Sequence, residues 1–488
     1  MGRLSKAVGY VESILGTEPP EPPSTWNKIA DWGARLIGKP LANSIEQRGD
    51  RLYPHAVFEA AAAGAQPVFY DARPLIMHTT SSLGPGGAER QLTISAIEQN
   101  RRDTGYKPLV SALSLSEIGN RNFFHQDLTD KNVPVTSLSE ILEIGKLRDF
   151  LAEYPEHREN LAILATLPSD ALRLALPLYE QIIRHRPAVL HLWQDSTCVI
   201  GGLAGYLAGV PRMILSTRST RPIERQRARP YLHDGFKALL SLPHVEMINN
   251  SKNGAHDYLD WLGDQEMPIS TLYNGYDFEA MQARASTDQA AAIRHRLGCG
   301  DDSVLIGGVM RLSAEKRPGL WLDTAISLVS ESDNYRAVLV GDGPMDPTLK
   351  QRVAELGLEG RITLAGGQTP VEPWMMAMDL LLLTSVTEGL PNVLIEAQSL
   401  GTPVASTNVG GASETLVEGE TGVLVPAETS GAEIARMLWP LLEDKIRLAA
   451  MGKTASEWVT ETFSIEAALD ALDRIYAAAP RSEPSPSG

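Results

Sequence analysis

Cysteine is nearly absent from this chain: Cys198 and Cys299 are the only two among 488 residues, isolated and far apart. They form neither a disulfide framework nor a CxxC metal site, and so point to a reducing, cytoplasmic setting. Long apolar runs are missing too. No uninterrupted stretch is long enough to span a bilayer, and Met1 to Leu15 mixes charged with apolar residues instead of showing a signal pattern. No Asp-x-Asp occurs anywhere, so a metal held by that common pattern has no support. Positive charge is in the minority. The net charge of -16 argues against a general nucleic-acid binder, although it leaves room for a local basic patch.

Alternation is what the chain does have. From "RPLIMHTT" onward, the runs "KPLVSALSL", "PAVLHLW", "RMILST", "VEMINN" and "ISTLYN" read as buried parallel strands with helical segments between them. The pattern then begins again with "SVLIGGVM", "YRAVLVG", "RITLAG", "DLLLLTS", "TPVASTN" and "TGVLVP". Such alternation is the signature of a doubly wound α/β sheet, here in two tandem Rossmann-like units facing a central cleft. The boundaries read as a helical N-terminal extension over 1–72, a first Rossmann-like unit over 73–275 and a second over 276–460. A C-terminal helix over 461–479 and a disordered tail over 480–488 complete the chain.

Several strings imitate motifs without being them. "GDGPMD" and "GPGGAE" both lack the third glycine of a dinucleotide fingerprint, and "MGKTAS" lacks the earlier P-loop glycine because Arg447 stands there. "TSSLGPGGAERQL" is stronger. It follows a strand and opens a helix, so Gly86 and Gly87 would let the backbone approach an oxyanion in the helix's N-terminal field. "GVMRLSAEKRP" puts Arg311, a bidentate fork, and Lys316, a compact charge, on one strand-end loop. The run "STRSTRPIERQRARP" holds Arg218, Arg221, Arg225, Arg227 and Arg229 and suits a phosphorylated acceptor, an anionic membrane surface or plain solvation. His191 ends the strand "VLHLW", where a lone histidine is as often structural as catalytic.

"TSVTEGLPNVLIEAQSLGTPVAS" carries the pair Glu388 and Glu396. Pro391 fits the first position of a helix, leaving the amides of Asn392 and Val393 as orphan donors ready for an anion. Glu396 then stands roughly 7–8 Å along the helix axis at 1.5 Å per residue. That spacing suits a ligand with a hydroxylated group at each end and a phosphate between.

Taken with "NNSKNGAHDYL…ISTLYNGYDF", "VGDGP" and "NVGGASETLVEGETGVLVP", these stretches resemble the family-4 nucleotide-sugar glycosyltransferases of the GT-B fold, over residues 74 to about 479. The resemblance implies that Glu388 contacts donor-sugar hydroxyls and that Glu396 holds the ribose. The segment Gly389, Leu390, Pro391 and Asn392 would lie by the diphosphate and sugar, with no amide at Pro391 to give. Arg311 and Lys316 would neutralise the leaving diphosphate, and the Gly86–Gly87 loop would face the donor. It further implies retention of anomeric configuration, no metal and no cofactor, with a UDP- or GDP-sugar as substrate. A glycan or lipid-linked glycan of the bacterial surface would be the acceptor, met by Arg218, Arg221 and His191, and the enzyme would be cytoplasmic or peripheral on the inner membrane face. One departure stands out. Where relatives carry a histidine after the strand matching "RMILST", this chain has Thr217 and Arg218. A sugar-nucleotide 2-epimerase and a catalytically silent nucleotide-sugar-binding scaffold are the alternatives, and fold alone does not choose the substrate.

Overall fold

The computed structural model describes residues 72–102, 105–141, 144–164, 167, 169–222 and 231–478. The expected helical extension therefore lies outside the described residues but for residue 72, and so do the tail and Arg225, Arg227 and Arg229. The chain divides into two compact units. Among the described residues, one comprises 72–249, 255–271 and 471–478, and the other 250–254 and 272–470.

The first unit is built on a 7-stranded sheet. Its strands are β1 (Arg73–Ser82), β2 (Lys107–Ser114), β3 (Val135–Ser137), β4 (Pro187–Trp193), β5 (Arg212–Thr217), β6 (Val245–Asn249) and β7 (Ile269–Thr271). Every pairing is parallel, in the order β3-β2-β1-β4-β5-β6-β7. The second unit has a 6-stranded parallel sheet. It consists of β8 (Val304–Val309), β9 (Tyr335–Val340), β10 (Ile362–Gly366), β11 (Leu380–Leu383), β12 (Val404–Thr407) and β13 (Gly422–Val425), ordered β10-β9-β8-β11-β12-β13.

The central strands carry continuous apolar stretches, with polar residues such as Thr79, Ser216 and Thr217 buried toward their ends, as expected where helices cover both faces of a parallel sheet. All four leucines of β11 are buried, Trp321 sits in the core of the second unit, and Trp193 sits in a smaller cluster of the first with Leu83 and Leu92. Each strand-like run quoted above is a strand here. β3, three residues on a sheet edge, is an addition. Strand order reverses between β1 and β4 and again between β8 and β11. Loops at such reversals emerge beside an open crevice, and here they carry the motifs. Among the described residues no helix is long and apolar enough to cross a membrane.

Candidate active site

In the second unit three strand-end loops converge. β8 runs into the loop bearing Arg311 and a short 3-10 turn, Ala314–Lys316, after which Arg317 takes φ 47° and Pro318 opens the helix Pro318–Glu331. Arg317 staples this loop to its neighbours. Its guanidinium donates to the carbonyls of Thr384 (2.7 Å), Ser385 (3.0 Å) and Ala427 (2.8 Å), which follow β11 and β13. Thr384 Oγ1 donates in turn to the carbonyls of Lys316 and Arg317, each at 3.1 Å. Lys316 is thereby fixed by backbone on both sides.

Its Nζ lies 2.5 Å from Glu388 Oε1, which also accepts from Ser385 Oγ at 2.6 Å. The Glu388 side chain is only 10% exposed, against 27% for Lys316. Arg311 is exposed, and its guanidinium makes no hydrogen bond or ion pair among the described residues, although, after the Ser313 hydroxyl, its charge helps to lower the Glu315 pKa. "VGDGP" finds its purpose here. Gly341 has φ 137°, and a side chain on it would run into the Met310 carbonyl, so only glycine lets the β9 loop close on the Arg311 loop, where Leu312 N–H donates to Asp342 O at 2.9 Å.

The loop after β11 leads to the helix Asn392–Ser399. Pro391, expected as its first residue, is instead the capping residue before it, with φ -72° and ψ 97°. Pro391 O accepts from Leu394 N–H at 3.1 Å, so the helix starts one residue later than the proline rule suggested. The Asn392 side chain faces the protein, accepting from Asn274 Nδ2 (2.8 Å) and Tyr276 Oη (2.6 Å). Leu390 is packed in an apolar cluster with Tyr276, Phe278 and Ile395, while Glu396 is half-buried within the helix. After β12, Gly410 at φ 53° and Gly411 press against the carbonyls of Glu388 and Gly389, where any side chain would overlap. That turn, Gly410–Glu414, is held by Glu414, whose carboxylate accepts from the amides of Lys252 (2.7 Å) and Asn253 (2.8 Å) and from Tyr273 Oη (3.0 Å).

In the first unit β1 leads through Gly86 into the helix Gly87–Arg101. The Glu89 carboxylate folds back over Gly86 and accepts from Gln194 Nε2 at 2.8 Å. A phosphate at these glycines would meet that carboxylate. His191 does not face an acceptor in this structure. It is wholly buried, stacked on Trp193 with 4.5 Å between ring centroids, and bonded through Nδ1 to Tyr476 Oη at 2.6 Å. Burial holds it well below the usual histidine range and lowers its neighbour His78 to about 4, so both are neutral core residues. Arg221 pairs with Asp257 at 3.4 Å, and the Arg218 guanidinium lies 4.3 Å from the centroid of the Trp193 ring.

The model of the family described as "Glycosyl transferases group 1" matches residues 303–444, the span of both strand-end loops that hold Lys316 and Glu388. The Vi polysaccharide biosynthesis protein VipC/TviE of Salmonella typhi is 31% identical over 426 residues, covering 82% of this chain and 71% of that protein. The chain belongs to the group 1 glycosyltransferases. The lipopolysaccharide core biosynthesis mannosyltransferase LpsB of Rhizobium meliloti is 28% identical over 313 residues, 62% of this chain and 86% of its own. A structure of Anabaena Alr3699/HepE in complex with UDP and glucose superposes with a TM-score of 0.61 at 21% identity, covering 82% of this chain and 98% of that one. This glycosyltransferase has the GT-B fold.

Several residues that shape the glycosyltransferase's loops gave no local signal. Arg317 stands beside the expected Lys316 but binds carbonyls only. Ser385 looks like any serine at a strand end until its hydroxyl is seen on Glu388. Glu89 reads as an ordinary acid in a helix's first turn.

Proposed function

We propose that this enzyme is a retaining, metal-independent transferase moving a sugar from a nucleotide-sugar donor, a UDP- or GDP-sugar, to a glycan or lipid-linked glycan of the bacterial surface. The carrying observation is the Lys316–Glu388–Ser385 cluster beside the start of the helix Asn392–Ser399. It brings a cation and a carboxylate together just before helix-end amides that make no hydrogen bond among the described residues, which suits a diphosphate joined to a sugar. The relatives named for Vi polysaccharide and lipopolysaccharide core biosynthesis support an acceptor of that kind. Departing charge would be met by Arg311 and Lys316, and front-face displacement would let the leaving phosphate help deprotonate the acceptor.

The test is a thermal-shift panel of UDP-, GDP- and ADP-sugars, since a donor stabilises the folded state by mass action. The stabilising donor is then incubated with and without a bacterial glycolipid extract. Nucleoside diphosphate released only with the extract supports transfer. Conversion of the sugar nucleotide into its 2-epimer, with no net release, favours an epimerase, and neither release nor conversion favours a silent scaffold. Activity is expected to survive EDTA. Complete loss that Mg²⁺ or Mn²⁺ restores would remove metal independence.

Glu396→Ala is expected to weaken nucleoside diphosphate binding by about 1–3 kcal/mol, the worth of a hydrogen bond to a charged group, or roughly 5- to 150-fold in Kd. Calorimetry on the folded variant checks this. An unchanged Kd would end the ribose assignment.

A further inference from the structure

In the second unit, one residue beside the candidate site stands where a side chain makes the backbone harder to form. Arg317 has φ 47° and ψ 53°, the left-handed region that glycine enters freely and other residues reach at a cost. Its half-buried side chain offsets that cost. Nε donates to Thr384 O at 2.7 Å, Nη1 to Ala427 O at 2.8 Å and Nη2 to Ser385 O at 3.0 Å. Every nitrogen of the guanidinium is thus committed to main chain, through the stronger, charge-assisted kind of hydrogen bond.

Those carbonyls lie just beyond β11 and β13, and Arg317 itself follows β8. Thr407, the last residue of β12, joins the same clamp by donating from Oγ1 to Ser385 O at 2.8 Å. All of these residues belong to the second unit. Both halves of the ion pair hang from the clamp. Lys316 directly precedes Arg317, and Ser385, whose carbonyl Arg317 takes, gives its hydroxyl to Glu388. We propose that Arg317 is a positioning residue of the reaction, setting Lys316 and Glu388 against the donor without touching it. Such a residue acts chiefly in the transition state, where placement matters most, and less on a bound ground state that tolerates a shifted loop. This inference rests on the transferase reading above.

The test is Arg317→Gly on the full chain, which suits the backbone angle and removes the clamp. Thermal unfolding checks the fold. Transfer is followed as nucleoside diphosphate release from the donor that the thermal-shift panel selects, with a bacterial glycolipid extract as acceptor, and calorimetry gives Kd for the nucleoside diphosphate. kcat is expected to fall about 100-fold, the cost of reacting groups misplaced by about an ångström, while Kd changes much less. Guanidinium chloride at millimolar concentration should restore part of the lost kcat in Arg317→Gly and none in Lys316→Ala. Arg317→Gly should also cost little on top of Lys316→Ala, since the two act through one ion pair. Thr384→Val loses the hydroxyl that donates to the carbonyls of Lys316 and Arg317. It should repeat the kcat pattern more mildly, and it covers the case in which Arg317→Gly does not fold. Wild-type kcat in a folded Arg317→Gly enzyme overturns the proposal. So does a Kd that weakens as much as kcat falls, with full additivity to Lys316→Ala, which would put Arg317 on the diphosphate itself. Wild-type protein that transfers no sugar fails the parent reading and takes this one with it, whereas a wild type that transfers beside an unimpaired Arg317→Gly enzyme fails this one alone.

Discussion

Arg311→Ala and Lys316→Ala are each expected to lower kcat by roughly 10- to 1,000-fold, on the scale of losing one preorganised donor at a developing oxyanion. When the bond between sugar and diphosphate breaks, negative charge grows on the departing oxygen. Groups already placed against it stabilise the transition state more than the bound donor, so turnover falls along with affinity. The two variants should differ in a way their geometry dictates. Arg311 is exposed and its guanidinium forms no ion pair among the described residues, only a weaker field on Glu315, so its removal acts mainly on the diphosphate. Lys316 is held 2.5 Å from Glu388, so its removal also releases the carboxylate expected to read the sugar. Lys316→Ala should therefore raise KM for the donor where Arg311→Ala leaves its sugar preference intact. Residues in one ion pair are not independent, so Lys316→Ala combined with Glu388→Ala should cost less than the two single losses added. The measurement is kcat at saturating donor beside calorimetric binding of the nucleoside diphosphate. Near-normal kcat in both single variants removes the basic pair from catalysis, whatever happens to affinity.

The strands and the motif-bearing loops were readable because parallel sheets covered on both faces leave continuous apolar runs, and because glycine and proline punctuate their ends. β3 escaped, while β7, equally short and also at an edge, was read from the longer run "ISTLYN" that contains it. Side-chain partnerships were harder. Lys316 and Glu388 were both singled out, yet nothing within either segment shows that they touch across 72 positions of sequence. Arg317 and Lys316 are adjacent and alike in charge, and only the left-handed turn at Arg317 sends one to three carbonyls and the other to a carboxylate. His191 stayed open between a structural and a catalytic reading for the opposite reason. A histidine near a strand end looks available, but Tyr476, far along the chain, closes over it from the helix Ile465–Ala477.

Glu388→Ala is expected to lower kcat/KM on the order of 100-fold or more, the cost of a reacting group misplaced by about an ångström, while affinity for the bare nucleoside diphosphate is retained. The carboxylate divides its two oxygens. Oε1 takes Lys316 Nζ and Ser385 Oγ, and the second oxygen makes no hydrogen bond among the described residues. That second oxygen is the acceptor left for a sugar hydroxyl. Glu388→Gln separates this role from a structural one. Lys316 can only donate, so the glutamine must turn its carbonyl toward Lys316 and put its amide where the second oxygen was. The loop contacts survive in that variant, and the site for the hydroxyl does not. Glu388→Gln should thus fold like wild type and be nearly as impaired as Glu388→Ala. Ser385→Ala removes one of two donors to the first oxygen and should cost far less. The backbone behind Glu388 is already fixed, because Gly410 and Gly411 lie against its carbonyl and that of Gly389, so the loop has little room to adapt. Steady-state kinetics on these variants, with nucleoside diphosphate calorimetry beside them, decides the matter. A Glu388→Gln enzyme near wild-type activity would leave Glu388 as a brace for Lys316 and nothing more.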